Sequence, residues 1–189
     1  MKHFATIIIL VLFNSLLTSA QRGEELIKNK IEQADSILLV SHEDTQGISL
    51  VNDLGKSIPL PKLIVSNKPN YKIFKESHLL SNQEKDTLIR ILQRPFKDRE
   101  IVIGKCFVPH HTIFIFKNGK TSYIDICFEC LGFETSADLK ELYAFDNQKW
   151  TELENYFIKL NFKYKLTNNE ERDVDRKKFN VKMNVCITN

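Results

Sequence analysis

The chain has little surplus charge: 27 lysines and arginines stand against 24 aspartates and glutamates, a net charge of +3 at pH 7. No basic stripe with interleaved aromatics accompanies it, so nucleic acid is not an expected partner. Beyond residue 20 no segment is long and apolar enough to cross a bilayer, which takes about 20 apolar residues. Internal repeats and low-complexity tracts are absent as well, which excludes repeat architectures and compositional linkers. Cysteine is scarce, with four in 189 residues, and residue 21 is Gln rather than Cys, which excludes a lipid-anchored N-terminus after cleavage at residue 20.

What is present at the start of the chain points to export. Lys2 is followed by a mostly apolar run from Ala5 to Leu17, interrupted only by Thr6, Asn14 and Ser15, and then by the small residues Thr18, Ser19 and Ala20. This predicts a signal peptide over residues 1–20, cleaved after Ala20. A membrane anchor is the weaker alternative, since the run is short and no basic stop-transfer cluster follows. Cleavage leaves 169 residues with a charge of +2, because Lys2 is the only charge removed. That length suits one domain, 21–189, in a secreted or periplasmic protein with no membrane contact after cleavage.

Hydrophobic periodicity predicts an amphipathic helix over 22–35 through Leu26, Ile27, Ile31 and Ala34. The continuous run Ile37 to Val40, flanked by Ser36 and Ser41, predicts a buried strand. His42 to Gly47 reads as a loop, whose Glu43 and Asp44 carboxylates suit a solvated turn better than a cation site. Further short strands are expected at Leu63 to Val65 and from Tyr71, with a turn around Pro69. Ser81-Asn82-Gln83-Glu84 matches a capping box, opening a helix from Asn82 to about Gln93 that buries Leu88, Ile91 and Leu92 and stops before Pro95. Glu100 to Lys105 reads as a strand, Phe133 to Asp138 as a loop and Ala137 to Tyr143 as a short helix. Asp146 caps a helix over 147–160 whose core stripe is Trp150, Leu153, Phe157 and Leu160. A charged loop at 168–178 leads to alternating Phe179 to Thr188. The fold class expected is α+β: a mainly antiparallel sheet with a central hairpin and three packed helices.

The chemistry is concentrated between Cys106 and Cys130, which hold three of the four cysteines and two of the five histidines. Asn118-Gly119, between Ile113–Phe116 and Tyr123–Ile126, is a strong hairpin signal. A two-residue turn sets Lys117 opposite Lys120 and carries His110 opposite Cys127. A three-residue turn with a glycine bulge sets His111 opposite Asp125, on the face of Cys127. Repulsion between facing lysines favours the bulged register.

Three readings of this cluster compete. Cys106, His111 (or His110), Cys127 and Cys130 have the residue types of a tetrahedral zinc site, and C-F-E-C has the usual chelating spacing. An oxidising compartment and an even cysteine count suggest disulfides instead, with three connectivities open. A bridge from Cys106 to either partner would stabilise by about 2 to 4 kcal/mol. Pairing Cys127 with Cys130 would close a tight, redox-labile loop, and Cys186 would partner whichever cysteine remained or stay free. In the third reading Cys127 is a nucleophile, His111 its base and Asp125 the orienting group. Thioredoxin-type chemistry is disfavoured because its C-x-x-C opens a helix, whereas Leu131-Gly132-Phe133 follows here.

The segment C-F-V-P-H-H-T-I-F-I-F-K-N-G-K, followed by Y-I-D-I-C-F-E-C, resembles an uncharacterised family of small bacterial secreted proteins, many from Bacteroidetes, with a C-x-x-P-x-H segment, a hairpin and then C-F-x-C. The likeness is close over residues 106–130 and loose over the flanking helices. It implies Cys106, Pro109, His111, Cys127 and Cys130 as the signature, leaves Cys186 outside it, and implies no activity. The reading that results is an exported non-enzymatic domain with a structural Cys/His cluster, bridged or zinc-bound, which binds a protein or small-molecule partner. The alternative is a thiol- or metal-dependent enzyme using Cys127 and Cys130 with His111.

Overall fold

The computed structural model describes residues 23–46, 50–51, 57–95, 107–142 and 145–166. The expected signal peptide, the strands expected at 100–105 and 179–188 and the loop expected at 168–178, with Cys106 and Cys186, all lie outside the described residues. In chain order the elements are α1 at residues 23–32, β1 (Ser36–His42), the short ladder of β2 (Leu50–Val51) with β3 (Ser57–Ile58), and the ladder of β4 (Ile64–Val65) with β5 (Lys68–Pro69). Then follow β6 (Phe74–Leu79), α2 (Asn82–Leu92), β7 (His111–Lys117), β8 (Lys120–Cys127), β9 (Gly132–Thr135) and α3 (Asn147–Lys159). Strands β6, β1, β7, β8 and β9 lie side by side in that order in one antiparallel sheet. The fold is α+β.

Side-chain alternation along the strands divides the sheet into two faces. Ile37, Leu39, Ile113, Ile115, Ile124 and Ile126 point to the helical layer, where they meet Ile27 and Ile31 of α1, Leu88 and Leu92 of α2, and Trp150, Leu153 and Phe157 of α3. Val40 and Phe114 point the other way and are covered by Leu63 and Ile73. With both faces covered, β1 carries a continuous apolar run rather than an alternating one.

The helix ends follow local chemistry. Ser81 Oγ accepts the Glu84 amide while Glu84 Oε2 accepts the Ser81 amide at 2.7 Å, the reciprocal box that starts α2. Asp146 Oδ1 accepts the Lys149 amide at 2.7 Å and starts α3.

Four expectations change. The reversal near Pro69 falls at Ser66 and Asn67, both at positive φ, and Pro69 itself pairs with Ile64 in β5. Tyr71–Ile73 is a single 3-10 turn, so the strand begins at Phe74 and runs to Leu79 as the sheet edge. Gly132–Thr135 is not loop but the opposite edge, pairing with β8, and Phe133 stacks on Phe145 at 4.5 Å between ring centres. The helix expected from Ala137 shortens to one 3-10 turn, Ala137–Leu139. Strands β6 and β9 lie at the two edges of the sheet, where pairing with β1 and β8 supplies what local propensity lacks.

Candidate functional site

The register of β7 on β8 decides what can meet. Lys117 pairs with Lys120, and Asn118 (φ 50°) and Gly119 (φ 71°) form a two-residue turn, so the bulged register expected from the sequence is overturned. Positive φ at both turn residues gives the twist that antiparallel strands need. The lysine charges cost little because both tips are at the surface, and the Lys117 ammonium donates to Gln33 Oε1. The Asn118 amide also donates to Asp35 Oδ2 at 2.7 Å, tying the turn to the end of α1. In this register His111 stands opposite Ile126, and Thr112 takes the place beside Asp125.

His111 therefore points into the helical layer. It is 1 % exposed, its ring lies edge-on to Phe128 and Phe157 at 5.1 and 5.4 Å, and Nε2 donates to the Tyr164 carbonyl at 2.9 Å. Burial pushes its pKa down to about 3, outweighing the hydrogen bond to Tyr164, so the ring is neutral at physiological pH. Cys127 shares the opposite face with Asp125, by strand alternation. The residues named from the sequence thus separate: Cys127 and Cys130 come together as a disulfide, His111 turns away from Cys127, and Cys106 lies outside the described residues. A nucleophile–base contact between Cys127 and His111 does not form. Among the described residues no group of three or more His, Cys, Asp or Glu is placed to hold a metal ion.

The same end of the sheet holds a polar cluster that the sequence did not reveal. His42, read as the first loop residue, is the last residue of β1 and fully buried. Its Nε2 lies 3.0 Å from Asp125 Oδ1, which also accepts the Thr112 hydroxyl at 2.9 Å. Its Nδ1 lies 2.7 Å from the Glu43 carbonyl oxygen. A carbonyl only accepts, so Nδ1 carries a hydrogen. Both ring nitrogens thus have partners, as burial demands. The available signal was the two-residue step from Val40 to His42, which extends β1 onto the Asp125 side of the sheet.

Around this core the loop carboxylates are engaged. Glu43 pairs with Lys75 at 2.5 Å, and Asp44 lies 3.3 Å from His110 Nδ1. His110 is mostly buried, which lowers its pKa, while Asp44 opposes that shift. Glu43 and Asp44 thus face a lysine and a histidine.

The disulfide sits in the turn between β8 and β9. Cys127 pairs with Gly132 across that hairpin, Leu131 takes a positive φ of 49°, and Phe128 drops into the core against Trp150 and Phe157. The Cys130 amide donates to Cys127 Sγ at 3.2 Å. Closing so short a loop is worth only about 2 kcal/mol by chain entropy. The class defined is an α+β protein whose sheet ends in a buried His–Asp–Thr cluster beside a disulfide-bridged turn. No protein-family model, no curated protein and no solved structure matches the chain.

Proposed function

We propose that the protein is an exported, non-enzymatic domain that binds a protein or small-molecule partner, with the Cys/His region serving the structure. The observation that carries this reading is the closure of the polar cluster: His42, Thr112 and Asp125 are 0, 0 and 2 % exposed and spend their hydrogen bonds on one another and on Glu43. Groups so enclosed hold the sheet end in register rather than meet a substrate. Export is supported by the apolar N-terminal segment with its small-residue cleavage pattern, and by a disulfide suited to an oxidising compartment. Among the described residues no helix is long and apolar enough to cross a membrane. The binding role draws on the exposed apolar side chains Val65, Tyr71 and Leu79, each more than half exposed. The resemblance to small secreted bacterial proteins supports export alone, since it implies no activity.

Zinc at Cys106, Cys127 and Cys130 with His111 or His110 is the competing arrangement. Against it, His111 lies on the other face from Cys127, His110 Nδ1 faces Asp44 at 3.3 Å, and Cys127 and Cys130 are bridged to each other. Metal analysis with a free-thiol count on protein purified from the exported fraction tests both. The expected result is no stoichiometric metal and a bridged Cys127–Cys130 peptide. About one zinc per chain, lost in Cys127→Ser, would replace the disulfide reading with the metal one. A thiol that alkylates fast at neutral pH would favour the enzymatic alternative.

A further inference from the structure

We infer that Cys127–Cys130 is a thiol-exchange site, opened and closed within the folded protein by small thiols or dithiols. It goes beyond the binding role and does not depend on what the partner is. The turn that holds the two sulfurs is fixed without the bridge. The Cys127–Gly132 pairing closes the hairpin, and Phe128, 6 % exposed, anchors the loop between its two cysteines. His111, Trp150 and Phe157 pack edge-on around that ring at 5.1, 6.2 and 5.5 Å. Reduction therefore removes a short link whose ends stay adjacent, and a dithiol so held recloses at high effective concentration.

The two sulfurs are not equivalent. Cys127 Sγ accepts the Cys130 amide, a bond that strengthens as charge builds on sulfur, which makes Cys127 the better leaving group. Cys130 is the more exposed, 8 % against 4 %. An incoming thiolate attacks Cys130 Sγ; the S–S bond breaks, its electron pair goes to Cys127 Sγ, and that thiolate takes a proton from water. A second thiolate attacks the external sulfur of the mixed disulfide and expels Cys130 as thiolate, which is protonated in turn. Two external thiols are oxidised to one disulfide, and the protein disulfide is reduced to two thiols.

The test uses the exported chain, equilibrated in glutathione buffers of increasing reducing strength, quenched with acid, alkylated and mapped by peptide mass spectrometry. Fluorescence of Trp150, the single tryptophan, reports folding in the same samples. The expected result is conversion of Cys127–Cys130 to the dithiol while the Trp150 signal stays native, and its return on adding oxidised glutathione. In the unaltered chain, acid-quenched early in reduction by glutathione, the trapped mixed disulfide should map to Cys130 at least about tenfold more often than to Cys127. Opening only in samples whose Trp150 signal is already unfolded would overturn the proposal. So would a native fold in which the bridge resists dithiothreitol. Equal trapping on the two sulfurs would overturn the assignment of Cys130 as the attacked atom.

Discussion

Asp125 is the residue on which the buried cluster turns, since one oxygen serves both His42 and Thr112. Removing one partner of a buried pair leaves the other unsatisfied, at a cost of about 3 to 5 kcal/mol, whereas removing both is far milder. Asp125→Leu should thus lower urea stability by that amount, and His42→Phe with Asp125→Leu should recover part of the loss. A double variant no better than the single one would show that the two side chains are not coupled. His111 makes a separate prediction about acid. In the folded state it stays unprotonated down to about pH 3, whereas the free imidazole takes a proton near 6.5. Between those values the unfolded chain binds more protons. Stability is therefore full above about pH 6.5 and falls as pH drops toward 3, by about 1.4 kcal/mol per unit from this residue. Urea titrations at about pH 7 and about pH 4 should show a steeper loss for the unaltered protein than for His111→Phe. Parallel losses would mean that the ring is not held neutral.

At the level of elements, the β7–β8 hairpin carries the register that sorts the two histidines. Gly119 sits at φ 71° with open space around the position where a Cβ would lie. The cost of Gly119→Ala is therefore backbone strain alone, about 1 to 2 kcal/mol. Urea denaturation reads that cost, and an unchanged midpoint would mean that the turn adapts. The capping box of α2 and the Asp146 cap of α3 are local in the same sense, each satisfied within four residues. Strands β6 and β9 are different. G-F-E-T reads as loop and F-K-E-S-H-L is mostly polar past the strand start expected at Tyr71, and pairing with the edges of β8 and β1 completes them as strands.

In the molecule as a whole, Phe157 joins the layers. It is fully buried and lies 5.4 Å from His111, 5.5 Å from Phe128 and 5.0 Å from Phe162 between ring centres. Phe157→Ala should cost about 3 to 5 kcal/mol, since the cavity would open among side chains of α3, β7 and the β8–β9 turn at once. Thermal unfolding by circular dichroism measures it, and a loss below about 1 kcal/mol would show that the layer collapses to fill the gap. Charge also ties the helices together. The buried Lys149 ammonium donates to the Leu92 carbonyl at the end of α2, while Arg94 pairs with Asp146 at the start of α3. Burial lowers the Lys149 pKa, and the carboxylates of Glu24 and Asp146 oppose that shift.

The sequence by itself determined whatever depends on near neighbours along the chain. The periodic stripes of α1 and α3, the Ser81–Glu84 box, the doubly buried run of β1 and the Asn-Gly reversal are all satisfied over a few residues. The α+β class follows from their order. Tertiary structure alone decided which face each polar side chain occupies, because strand side chains alternate and a single residue of slip exchanges the two sides. The difference between a two-residue turn and a bulged one is such a slip. It sends His111 to the helices, places Thr112 beside Asp125, and lets His42 reach Asp125 from 83 residues away. Local propensity has no term for a partner that distant, so the polar cluster emerged only once β1 was laid against β7.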